Sequence, residues 1–481
     1  MNELARLDQR HVWHPFTQMR DWLREEPLVI VEGRGAVLRD ARGREYLDAN
    51  ASIWTNLHGH RHPRLDAALR RQLGKIAHSS ALGLANEPAA RLAARLVAAA
   101  NPSRLFGRRA APGNPRLPKV FFSDDGSTAM EVALKLAYEF ARRTGRARRP
   151  RFLALAGAYH GDTIGAVSLG HIDLFHRAYG GLLFRSDAAP APYCYRCRFN
   201  RARPERADAR EYRQCDWECV DQIERLARRQ SRRGAPYAGF VFEPRMQGAA
   251  GLIPQPSGWL RRVAEILRPA GTLLLADEVM TGFGRTGESA VRRGRPTLFA
   301  SHHEGVQPDF LALAKGLTGG YLPMAATLTT RAVFDAFLGE YDEFKTFFHG
   351  HSYTGNQLGA AVALSSLDLL ETPANRAARV RLAGWLRDDL EALWNLPAVG
   401  DVRQEGLVAG VELVRYWPTR TPFDLREQAG IRVCRAMARR GVLTRPIGNV
   451  IVLMPPYCTR RAQLRRMVTA LAESIEEVLG G

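Results

Sequence analysis

Lys315 and Asp277 are the residues of this 481-residue chain best placed to do chemistry. Lysine is scarce: Lys75, Lys119, Lys135, Lys315 and Lys345 are the only five, and arginine supplies the rest of the 69 basic residues. A lone lysine ordinarily reads as a solvated surface charge, but in this chain arginine does that job. Lys315 closes the apolar run Phe310-Leu311-Ala312-Leu313-Ala314 and is followed by Gly316-Leu317-Thr318-Gly319-Gly320. Upstream, Thr272-Leu273-Leu274-Leu275-Ala276 runs into Asp277-Glu278. Both runs read as buried strands, and their ends would face one crevice of an α/β sheet, where such folds bind ligands. A lysine there can form a Schiff base, and a buried carboxylate can keep a pyridinium nitrogen protonated. Together these are a protein's part in pyridoxal-phosphate chemistry.

Other segments suit the remainder of such a cofactor. Ser123-Asp124-Asp125-Gly126-Ser127-Thr128 follows a strand pattern and opens a long helical one. Small residues at a helix start expose N–H groups and the positive end of the dipole, which suits a phosphate at Gly126 and Ser127. A plain N-cap turn is the competing reading, and Asp277 with Lys315 tips the balance. Tyr159, in Tyr159-His160-Gly161-Asp162, leaves another strand, where an aromatic can stack on a planar ring or simply fill the core. Glu243-Pro244 ends a further strand, as a carboxylate turned into the crevice or as a cap. Gly282-Phe283-Gly284-Arg285-Thr286-Gly287 does not open a helix from a strand as a dinucleotide fingerprint does, and reads as a loop over the site.

The elements that must position these residues follow from periodicity. Between about Pro63 and Phe348, short apolar runs (Lys119 to Ser123, Arg151 to Leu155, Ala238 to Glu243, Gly271 to Asp277) alternate with helical patterns such as Thr128 to Arg142 and Gly258 to Leu267. This predicts an α/β fold with a mostly parallel sheet between helices. Leu28 to Asp48 reads as an antiparallel meander, with turns at Gly33-Arg34-Gly35 and Ala41-Arg42-Gly43. The C-terminal part reads as an α+β layer, with helices at Asn375 to Leu393 and Asp424 to Arg440 and strands at Gly406 to Leu413 and Val450 to Met454. The division is therefore residues 1–62 and 349–481 in a small domain and 63–348 in a large one.

Composition narrows the class. Hydrophobic content of 46% and charged content of 25% fit a globular protein. No apolar run approaches the roughly 20 residues of a membrane helix, and Met1 to Arg6 lacks the pattern of a secretory leader; the reading is a cytoplasmic protein. The net charge of +20 raises nucleic-acid binding, but the arginines are scattered through amphipathic stretches rather than gathered in a stripe, so no nucleic-acid partner is expected. Cys194 and Cys197 form a CxxC, with Cys215 and Cys219 following, a spacing similar to a zinc ribbon. A reduced thiol cluster on an inserted surface excursion is the favoured reading over a structural metal, and no catalytic metal is implied.

Taken together, these motifs resemble the class III pyridoxal-phosphate-dependent aminotransferases over nearly the whole chain. The stretch Leu275-Ala276-Asp277-Glu278-Val279-Met280-Thr281-Gly282-Phe283-Gly284-Arg285-Thr286-Gly287 and the Lys315 segment carry the likeness. The resemblance implies a fold type I homodimer with active sites at the subunit interface. It makes Lys315 the Schiff-base lysine, Asp277 the partner of the pyridine nitrogen, Gly126 and Ser127 phosphate ligands, and Tyr159 a residue packed on the ring. Within the family the likeness is strongest to the branch serving biotin synthesis, which aminates 8-amino-7-oxononanoate. Arg10 to Met19, His349 to Asn356 and Leu443 to Gly448 carry it, with Leu453 to Tyr457 after them. That likeness implies substrate contacts at Phe16, Gly350 and Arg445, the last pairing with the keto acid's carboxylate. It also implies that His351 and Ser352 reach the neighbouring subunit's cofactor phosphate. Ile53 and Trp54 suit the walls of an apolar channel. Phe16 stands where the adenosylmethionine-using pattern often has tyrosine, which leaves the donor open between adenosylmethionine and lysine. Another ω-aminotransferase of the family, acting on an ω-amino acid and pyruvate or on ornithine, is the alternative. Glu288 to Thr297, rich in arginine, reads as an insertion.

Overall fold

The chain's central layer is a seven-stranded sheet ordered Lys119–Ser123, Ala325–Thr329, Phe310–Leu313, Leu273–Asp277, Gly239–Phe242, Phe152–Leu155 and Asp187–Ala189. The computed structural model describes residues 2–102, 104–105, 108–109, 114–287 and 297–480. Ala325–Thr329 alone runs antiparallel to its neighbours; the other pairings are parallel. Both faces are buried, as parallel sheets require. Phe240, Phe242, Leu274, Ala276, Leu311 and Leu313 join the larger apolar core. Val241, Leu275, Phe310 and Ala312 point the other way, into a second core under the helix Gly126–Arg143. The strands expected from sequence therefore exist, with ends moved by a residue or two.

The N-terminal meander is also as expected. Ile30–Arg34, Val37–Asp40 and Glu45–Asp48 pair antiparallel, with Gly35 and Gly43 in the turns at φ 57° and 81°. Val442–Leu443 joins this sheet beside Glu45–Asp48, so the two ends of the chain share one layer. The C-terminal sheet holds five strands where its pattern suggested two; Val399–Glu405, Thr421–Pro422 and Pro446–Ile447 are the additions. Val399–Glu405 pairs with Val408–Tyr416, which in turn pairs with Val450–Leu453. Asp401, Arg403 and Glu405 put three charges into the strand Val399–Glu405. They are buried because Arg403 Nη1 donates to both Asp401 Oδ2 and Glu412 Oε2 at 2.7 Å, and paired charges can enter a core.

Two other readings need correction. The cysteine-bearing segment is not a free excursion: Cys194, Tyr195, Ala202, Ala209 and Cys219 are buried. It docks on the C-terminal sheet through Tyr193 and Arg196 to Glu412 and through Arg210 to Glu405. All six cysteines are free thiols, and among the described residues no group of three or more His, Cys, Asp or Glu is arranged to hold a metal. The Gly282 to Gly287 segment is a buried turn and not a covering loop. Its Arg285 donates to the carbonyls of Pro455 (2.8 Å) and Asn56 (2.9 Å). The arginine-rich segment from Glu288 lies outside the described residues except for Thr297. No described helix is long and apolar enough to cross a membrane.

Candidate active site

Parallel pairing brings the chemistry-bearing residues to one edge of the sheet. Asp277 is the last residue of its strand and lies opposite Ala312, three residues before Lys315. On the other side Ala276 lies opposite Phe242, so Glu243 leaves at the same level. Tyr159 and His160 follow the next strand, Phe152–Leu155, and Gly126 opens the helix after Lys119–Ser123. The carboxyl ends of parallel strands thus collect an amine, two carboxylates, an aromatic ring and a helix start, as the crevice rule for such sheets requires.

Asp277 is held firmly. Oδ2 lies 2.7 Å from His160 Nδ1, and Oδ1 accepts from Val279 N at 3.1 Å. An ionised carboxylate only accepts, so Nδ1 carries the donated proton. His160 Nε2 is buried without a partner among the described residues. Glu243 is buried as well, and Oε2 accepts from Gly248 N at 2.7 Å. Burial raises the Glu243 carboxyl well above the usual carboxylate range. Burial also pushes the Lys315 amine down, against the opposing pull of Asp277 and Glu243. A lysine moved that way carries a larger fraction of neutral, nucleophilic amine.

At the helix start, Asp125 caps Thr128 N at 2.9 Å, which leaves the N–H groups of Gly126 and Ser127 for an anion. Neither flank of this cradle has room for a larger residue. A Cβ on Gly126 would come within 2.7 Å of Val279, and one on Gly161, at φ 117°, within 2.4 Å of Ser127. The Ser127 hydroxyl is oriented by Thr163, whose N–H donates to it at 3.0 Å and whose Oγ1 lies 2.7 Å away.

A second cluster forms the mouth. The Phe16 ring meets Tyr159 edge-on at 6.4 Å and Phe175 at 5.3 Å, and Arg445 Nη2 donates to Phe16 O at 3.0 Å. Tyr159 also donates to Asp162 at 2.8 Å and stacks parallel to His176, 6.4 Å away. Trp54 lies deeper, its ring centroid 4.5 Å from Lys315 Nζ, while Ile53 is 48% exposed. Gly350, His351 and Ser352 sit on a different loop: His351 Nε2 is 3.8 Å from Asp124 Oδ1, and Ser352 O lies 2.8 Å from His78 Nε2. The structure therefore brings together Lys315, Asp277 and Trp54 on one side and Phe16, Tyr159 and Arg445 on the other. Sequence reasoning missed the parts of His160 and Thr163. A histidine beside Tyr159 reads as an ordinary core residue, and only the sheet order puts it against Asp277.

These residues fit pyridoxal phosphate: a free helix start for phosphate, a fixed carboxylate for the ring nitrogen and an amine with depressed basicity for the aldehyde. The chain matches the model of aminotransferase class-III over residues 19–475 and belongs to that family. It is 47% identical over 474 residues to the adenosylmethionine-8-amino-7-oxononanoate aminotransferase of Geobacter sulfurreducens, covering 98% of this chain and 97% of that one. It is 38% identical to the protein of the same name in Methanocaldococcus jannaschii, with 99% and 98% covered. The crystal structure of an adenosylmethionine-8-amino-7-oxononanoate aminotransferase from that organism superposes with a TM-score of 0.87 at 36% identity, covering 99% of each chain. An amine transaminase from an uncultivated Pseudomonas species, solved in its PLP-bound form, gives 0.84 at 31% identity, with 97% and 99% covered.

Proposed function

We propose that this chain catalyses the amination step of biotin synthesis, moving an amino group to the ketone of 8-amino-7-oxononanoate to give 7,8-diaminononanoate. The observation that carries the reading is the convergence of Lys315, Asp277 and the Gly126 helix start at one sheet edge, in a chain similar over its full length to enzymes of that name. Lys315 would hold the cofactor's aldehyde carbon, Asp277 its ring nitrogen, Gly126 and Ser127 its phosphate, and Tyr159 one ring face. Bound pyridoxal phosphate supplies an electron sink for the charge left when a proton leaves the donor's amine-bearing carbon. The Lys315 amine would take that proton as general base and deliver it to the cofactor's former aldehyde carbon within the same half-reaction. In the second half it would move a proton the opposite way, to the acceptor's former keto carbon. Asp277, fixed by His160, would present its carboxylate to the ring nitrogen. Arg445 would hold the keto acid's distant carboxylate by charge-assisted hydrogen bonds, with Phe16, Ile53 and Trp54 lining the route of its apolar chain.

The reading includes a cytoplasmic homodimer with active sites at the interface and a domain division at 62/63 and 348/349. Two loops support the dimer. His78 and Ser352, Asn86 and Gly355, and Ser79 and Gln357 hydrogen-bond across them. Together they expose Leu82 (92%), Leu84, Phe348 and Tyr353, more apolar side chain than a monomer leaves in water at one place. In a dimer, Gly350, His351 and Ser352 on this patch would face the partner's site. The test is a pair of half-reactions followed by cofactor absorbance. Adenosylmethionine, lysine and other amines are offered in turn as donors, and 8-amino-7-oxononanoate as acceptor. Amination of that keto acid supports the proposal. Failure with it and success with pyruvate would make the chain another ω-aminotransferase of the family.

A further inference from the structure

Ala51, Ser52, Ile53 and Trp54 have φ of 43°, 47°, 59° and 68°, one turn of left-handed helix closed by Trp54 N to Asn50 O (2.9 Å) and Thr55 N to Ala51 O (3.0 Å). None is glycine, and L-residues enter this region as single residues rather than as helices, so the surroundings must impose it. On one side stands buried Asp48, whose Oδ1 accepts from Ser52 N at 3.0 Å. Its Oδ2 accepts from Ser52 Oγ at 2.8 Å and lies 3.0 Å from His60 Nε2. On the other side Arg285 donates to Asn56 O. The chain just after the turn, at Asn56 and Leu57, is fitted closely against Gly316, within the Lys315–Thr318 turn, and Gly320, just after it. A Cβ on Gly316 would come 3.0 Å from Leu57, and one on Gly320 2.9 Å from the Asn56 backbone. At the end of the left-handed turn the Trp54 ring faces Lys315 Nζ, and its buried indole N–H has no partner among the described residues.

We propose that Asp48 is a positioning residue: by gripping the Ser52 backbone and hydroxyl it holds the left-handed turn that seats Trp54 against the Lys315 amine. The ring then fixes the side of the crevice on which the amine lies and shields it from water. A right-handed or extended path through residues 51–54 would carry the Trp54 side chain elsewhere, because the backbone hand sets the direction of each Cα–Cβ bond. This inference rests on Lys315 being the cofactor-bearing lysine.

The test is the reactivity of Lys315 in the full chain freed of cofactor. A small amine-reactive reagent is used, and the labelled peptides are quantified by mass. Rates are followed across pH, so that the limiting rate of the neutral amine is read apart from its titration, with Lys135 as internal reference. Asp48→Asn is expected to raise the limiting rate at Lys315 about tenfold, the scale of one lost hydrogen bond in a held geometry, with Lys135 unchanged. Trp54→Ala should do the same, and the double variant should be no faster than Trp54→Ala alone, since both changes remove one shield. If Asp48→Asn does not fold, Ser52→Ala with Trp54→Ala makes the same comparison. A folded Asp48→Asn that labels like wild type, or rates that multiply in the double variant, would overturn the proposal. A mistaken choice of cofactor lysine shows itself separately, as borohydride fixation of cofactor to another peptide.

Discussion

The imidazole Nδ1 of His160 lies 2.7 Å from Oδ2 of Asp277, and both side chains are buried. The two residues are 117 apart in sequence and meet because Phe152–Leu155 and Leu273–Asp277 flank the same strand, Gly239–Phe242. The histidine fixes one carboxylate oxygen, and the Val279 N–H fixes the other. Asp277 is thus aimed before any ligand arrives, and preorganised charge of this kind does the most for a reaction.

Asp277→Asn removes that charge while keeping the shape. The expected result is a fall in kcat of roughly a hundredfold or more, with a much smaller change in cofactor affinity. His160→Ala leaves the charge but frees its direction, and should cost about tenfold in kcat. Single-turnover absorbance changes measure both. Wild-type rates in the Asn variant would mean that Asp277 does not serve the ring nitrogen.

Arg445 is held by Phe16 O at 3.0 Å and remains exposed at the mouth. Arg445→Ala should weaken acceptor binding by roughly 1.5–3 kcal/mol, the worth of a hydrogen bond to a charged group, seen as a raised KM for the keto acid. The donor half-reaction should survive. Equal loss in both halves would count against a carboxylate clamp.

Much of this site was legible because strand ends advertise themselves. An apolar run broken by Asp277 or Lys315 marks both the strand and the residue leaving it. The Gly126 helix start was legible for the same reason. What was hidden depends on contacts distant in sequence. The charges of Asp401, Arg403 and Glu405 break the apolar alternation of Val399–Glu405, and only the bonds of Arg403 to Asp401 and Glu412 make them compatible with a buried strand. The left-handed turn at Ala51 to Trp54 has no glycine to announce it, since Asp48 and Arg285 impose it from outside. Placing Gly282 to Gly287 over the site failed because the glycines serve close packing: at Gly284 an added Cβ would come 3.0 Å from Arg379.

Glu278 gives stability a pH dependence. Its carboxylate accepts from Ala300 N, Ser301 N and Ser301 Oγ, tying the strand end to the chain at Ala300. Burial outweighs these donors and pushes the carboxyl up from its ordinary 4.5 to about 7. Between those values the unfolded chain is ionised while the folded one keeps its proton. This group's contribution is therefore complete below pH 4.5 and is lost as pH rises through 7. Its slope is at most about 1.4 kcal/mol per pH unit. Urea midpoints at pH 5 and 7.5 should differ less in Glu278→Gln than in wild type; an unchanged difference would show that the carboxyl is ionised throughout.

The central claim is that Lys315 carries the cofactor for amino transfer, and borohydride reduction of the holoenzyme followed by peptide mass mapping tests it most directly. The account predicts that the cofactor's mass is fixed to the peptide containing Lys315. Lys315→Ala should fold, bind cofactor reversibly, show no fixed mass and turn over no substrate. Fixation to the peptide of Lys75, Lys119, Lys135 or Lys345, or turnover by the alanine variant, would contradict it.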